Sequence, residues 1–95
     1  MVVLESDGSL SRADQKRLGI RFFQVIRSLR QLKKEGEIEK GMSAADISLV
    51  LIASKMEEPE YASEWQAVGA PDWDAIFEFI EKLVELIMKL LPMFL

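Results

Sequence analysis

Apolar residues recur at spacings of three and four in several separate stretches of the chain, and each such stretch predicts a helix. Leu18, Phe22, Val25, Ile26, Leu29 and Leu32 occupy a stripe about 120° wide on a helical wheel, the pattern of a helix with one face on a core. Ser11 is suited to cap this helix, and Gly36, following Lys33 and Lys34, to end it in a left-handed turn. One long helix is therefore expected over residues 11–35. Gly19 falls inside it, at a cost of about 1 kcal/mol relative to alanine. Either a close backbone approach or a local weak point accounts for that glycine.

A second helix is expected over residues 43–58, opened by Ser43 with Asp46 three residues later and closed before Pro59. Ile47, Val50 and Leu51 lie on one side and Leu49, Ile52, Ala53 and Met56 on the other, so two faces call for burial and the helix should be central. The β-branched run "ISLVLIA" also suits a buried strand, but no partner strand is visible, so a helix is preferred. Residues 61–68 form a short connecting helix with Tyr61, Trp65 and Val68 on one side.

The last helix, over residues 72–91, carries the strongest pattern. Ile76, Ile80, Leu83, Ile87 and Leu90 step by 4, 3, 4 and 3, a seam of the coiled-coil type. Phe77, Val84 and Leu91 flank it on one side, and Phe79, Leu86 and Met93 on the other. Asp74, Glu78, Glu81, Lys82, Glu85 and Lys89 keep the rest polar. Pro92 ends the helix and leaves an apolar tail over residues 92–95. Residues 1–10 are an arm closing on the turn-forming Ser6-Asp7-Gly8-Ser9. The fold class is all-α: a small single-domain bundle of three long helices plus a short connecting helix.

Chain length sharpens the meaning of the apolar end. Ninety-five residues bury only about two thirds of their unfolded surface, so large apolar side chains are scarce core material. Each one left wet forgoes roughly 1.5–3 kcal/mol of available burial. The tail either folds over its own core or meets another surface. In the second case Ile80, Leu83, Ile87, Leu90, Phe94 and Leu95 would carry a contact with a copy of the chain or with a larger partner.

Charge is divided unevenly. Residues 11–34 hold eight Lys/Arg against Asp14, net +7, whereas residues 35–95 hold four against thirteen acids, net −9. On one continuous helix Arg12, Lys16, Arg27, Arg30 and Lys34 would cluster opposite the apolar stripe, with Phe23 among them and Ile20 at their edge. Such a face either pairs with acidic protein or grips phosphates and stacks a base. Sequence-specific DNA recognition is disfavoured, because the second helix offers "ISLVLIAS" where base edges need polar side chains.

The residue inventory argues against chemistry. Cysteine and histidine are both absent, which removes the usual zinc ligands and the usual general base near neutral pH. Glu57, Glu58, Glu60 and Glu64 around Pro59 read as a solvated helix end, and no phosphate loop or dinucleotide fingerprint occurs. No metal, cofactor or enzymatic activity is expected. Neither a signal peptide nor a membrane span is legible, a peripheral membrane role ranks last because the polar face of the final helix is net acidic, and the expected setting is the cytoplasm or the interior of a viral particle. The expected function is assembly, as a homo-oligomer or a small structural subunit of a larger, viral or phage, particle. Nucleic-acid binding through the basic helix is the alternative.

Overall fold

Ser11 starts the first helix as its sequence suggests, its Oγ accepting the Asp14 N–H at 3.2 Å. That helix, α1 (Arg12–Leu18), stops after seven residues. Gly19 takes φ +71°, its N–H donates to Lys16 O, and the Ile20 N–H reaches back to Gln15 O, which closes a Schellman turn. The single helix expected over residues 11–35 is thus two, with α2 (Phe22–Lys34) restarting after Arg21. Burial explains the interruption. On a continuous helix Ile20 would point with the charged residues, whereas the turn carries it fully into the core.

The computed structural model describes residues 2–92 and is an all-α bundle completed by α3 (Ala44–Glu57), α4 (Pro59–Gln66) and α5 (Ala70–Leu90). Among the described residues there is no strand, only an isolated antiparallel bridge between Leu4 and Leu10. That bridge folds the arm on itself around Gly8 and buries Leu10. The arm is pinned at both ends of the bundle's sequence: the Val3 N–H donates to Asp14 Oδ2 at 2.7 Å and the Val2 N–H to Asp72 Oδ2 at 3.4 Å.

α3 lies at the centre, packed against α2, α4 and α5. Its buried side chains are Ile47, Ser48, Leu51, Ile52 and Lys55. The second of its two expected apolar faces is covered only in part, since Ile52 is buried while Leu49, Ala53 and Met56 are exposed. α4 is more than a connector. It packs on α1 and α3 and places Trp65 fully inside, where the indole Nε1–H donates to Leu18 O at 3.0 Å. Trp73 of α5 stacks beside it with ring centroids 5.6 Å apart. Arg17 ties α1 to α4 as well, bonding both Asp14 and, at 3.0 Å, Glu64.

The core-facing stripe of α5 is Ile76, Ile80, Val84 and Ile87, all fully buried. Val84 therefore takes the place the sequence pattern gave to Leu83, and the helix is rotated so that Leu83 and Leu90 move outward. Among the described residues no helix is long and apolar enough to cross a membrane.

Candidate interaction surface along the last helix

The rotation of α5 sorts the expected contact residues into two groups. Ile80 and Ile87 are 0% exposed and belong to the protein's own core, so they are corrected out of any partner contact. Leu83 is half-buried and Leu90 is 60% exposed. Phe94 and Leu95 lie outside the described residues. The residue that sequence reasoning placed on a mere flank, Leu86, is 45% exposed.

Phe79, Leu83, Leu86 and Leu90 follow one another at 4, 3 and 4 residues and share an arc about 60° wide at 100° per residue. They form one apolar strip along the outer flank of α5. Two grooves open along it. At the arm end, Leu4 and Gly8 face Phe79, Leu83 and Leu86 across a groove of about 360 Å³. At the other end, a groove of about 550 Å³ lies between Leu90 and Leu91 on one wall and Phe22, Phe23 and Ile26 of α2 on the other. Phe23 is the most exposed large apolar residue described, at 77%, and rests edge-on against Phe22 with centroids 5.4 Å apart.

The second groove joins the two surfaces that the sequence suggested separately. Arg27 and Arg30 line it together with Phe23 and Leu90, so the basic face of α2 borders the apolar end of α5. Phe23, Arg27, Arg30 and Lys34 remain in helical register on α2 and all are exposed. Arg12 and Lys16, also exposed, sit on α1 beyond the Gly19 turn, which removes them from that helical face. The six residues expected on one helical face are thus divided between two helices, Arg12 and Lys16 on α1 and the other four on α2. Lys82, paired with Glu78 at 3.0 Å, borders the strip nearer the arm, where Asp7 also approaches.

A polar recess of about 360 Å³ between α2, α3 and α4 was not legible in the sequence. Gln24, Arg27, Lys55, Glu58 and Tyr61 line it. Lys55 is buried with Nζ 3.5 Å from Glu58 Oε2 and 5.0 Å from the centre of the Tyr61 ring, while Gln24 Nε2 donates to Tyr61 Oη at 3.2 Å. Burial first, then the neighbouring Glu60 and Glu58 carboxylates, push the Tyr61 phenol above its ordinary pKa. These groups satisfy one another, so the recess reads as a polar seam holding α4 in place. Among the described residues no group of three or more acidic side chains is arranged to hold a metal ion. Comparison with protein-family models, curated proteins and solved structures found no match, and the functional reading rests on this chain's own residues.

Proposed function

We propose that this protein is a non-enzymatic assembly protein that joins other protein surfaces through the outer flank of α5 and the adjoining face of α2. The supporting observation is the continuity of Leu83, Leu86, Leu90 and Phe23 along one side of the bundle, with Phe23 and Leu90 more than half exposed. In a chain with so little apolar area to spare, four large side chains gathered on one surface suit a docking face, since full burial of an exposed one is worth roughly 1.5–3 kcal/mol and the half-buried Leu83 gains correspondingly less. The arginines at one end give the contact orientation and salt sensitivity.

Sedimentation of the intact chain across concentrations up to millimolar tests this. The mass is expected to rise above the 10.8 kDa of one chain and to fall back when Leu86→Glu and Leu90→Glu are introduced together. An intact chain that stays monomeric and is no less soluble than the doubly substituted one would overturn the assembly function. A second reading, nucleic-acid contact, is favoured by the exposed Phe23 beside Arg27, Arg30 and Lys34. It requires salt-sensitive binding of single-stranded nucleic acid that Arg27→Glu with Lys34→Glu removes.

A further inference from the structure

α3 leaves an apolar face uncovered on the side away from the core. Opposite the buried Ile47 and Leu51, Leu49 and Met56 are 57% and 41% exposed, with exposed Ala53 between them. Exposed Asp46 and Glu57 border this row on the same outer face. Glu57 and Ala53 also share a groove of about 320 Å³ with Val50, Glu35 and Glu37. The outer row of α3 is thus apolar with an acidic rim. The strip end at Phe23 and Leu90 is apolar with a rim of Arg27 and Arg30.

We propose that the occupant of the α2–α5 strip is a second copy of this chain, which presents the outer row of its α3. The proposal rests on the assembly function above and names its partner. Phe23, Leu90 and Leu91 of one copy pack on Leu49, Ala53 and Met56 of the next, and Arg27 meets the Glu57 side of the row. Charge complementarity selects this pairing over strip against strip, which would set the arginine rims of two copies near each other. It also reconciles attraction with like net charge: each copy carries −4 overall, yet residues 11–34 are strongly basic and the remainder strongly acidic. Because the two surfaces are different patches on different helices, the contact is head-to-tail. It leaves one patch open at each end and propagates until a ring closes or a filament grows.

Two variants of the full chain separate the possibilities by sedimentation. One carries Phe23→Glu and Leu90→Glu on the strip, the other Leu49→Glu and Met56→Glu on the row. Each alone is expected to be monomeric, and an equimolar mixture is expected to form a heterodimer of twice the monomer mass and nothing larger, since only one live patch remains on each copy. A mixture that stays monomeric overturns the head-to-tail contact. If the strip variant dissociates the assembly while the row variant leaves it intact, the head-to-tail contact fails and the assembly function stands. An intact chain that neither associates nor responds to the strip variant removes the assembly function itself. Should either variant lose its cooperative melt, charge reversal serves instead. Arg27→Glu and Glu57→Arg are each expected to weaken self-association at least tenfold, and a mixture of the two is expected to recover it. Failure to recover, with both chains folded, overturns the proposal.

Discussion

Tyr61 lies across Gly19 so closely that a Cβ on the glycine would come within 2.7 Å of two ring carbons. The same glycine holds the left-handed turn between α1 and α2, at φ +71°. Gly19→Ala therefore meets two penalties, a backbone conformation that alanine rarely adopts and a ring that has to move. Gly36 has a similar φ of +77° with open space around it, and so isolates the backbone penalty. Gly19→Ala is expected to cost more than about 1 kcal/mol and clearly more than Gly36→Ala in denaturant titrations. Equal losses at the two sites would show that the Tyr61 ring imposes no constraint.

Trp65 supplies the main link from α4 back to α1. Its ring is buried and its Nε1–H satisfies Leu18 O at the end of α1. Trp65→Phe keeps an aromatic ring but strands that carbonyl, a loss of about 1–3 kcal/mol when no water can replace the donor. A shift of the urea midpoint with unchanged slope is the expected signature. An unchanged midpoint would mean that the carbonyl finds another donor.

Asp14 fastens the arm. Burial opposes its ionisation, but bonds from the Val3 N–H, Arg17 and Ser11 outweigh that and hold the carboxyl below its ordinary pKa. A depressed folded-state pKa contributes stability that is fully present above the unfolded value of about 3.9 and is lost as pH falls through the folded one. Asp14→Asn should thus destabilise the protein at neutral pH, and its deficit against the original chain should shrink as the solution is acidified below about pH 4. A deficit that stays constant from neutral to acid would assign the effect to shape rather than charge.

Much of this fold was legible because periodicity reports burial directly. On α2, Val25, Leu29 and Leu32 are buried as their spacing suggests while Phe22 and Ile26 of the same stripe are half-buried, Leu18 is buried from α1 instead, and Ser11, Ser43 and Gly36 act at the helix ends where their chemistry places them. The break at Gly19 was signalled by the glycine but not decided by it. What decides it is the gain from burying Ile20 together with the approach of Tyr61, a residue distant in sequence. On α5 the apolar arc is so broad that the wheel alone could not fix its rotation. Packing on α3 chose Val84 over Leu83, and that choice turned Leu86 and Leu90 outward. The same breadth hid which face of α3 would stay uncovered.

That rotation yields the sharpest contrast on one helix. Ile80 and Leu90 are both apolar, are ten residues apart, and were assigned by spacing to the same seam. Ile80 is completely buried, so Ile80→Ala leaves a cavity and is expected to cost about 2–5 kcal/mol. That is a large share of the roughly 5–15 kcal/mol stability typical of small proteins. Leu90 is mostly exposed in the last turn, so Leu90→Glu should leave unfolding within about 0.5 kcal/mol of the original chain. Its effect should appear in mass instead, as a loss of concentration-dependent association. Thermal unfolding of both variants at low concentration, followed by sedimentation at high concentration, checks the two halves separately. If Leu90→Glu unfolds the protein as Ile80→Ala does, the end of α5 is part of the core, and the proposed docking face loses the residue on which it most depends.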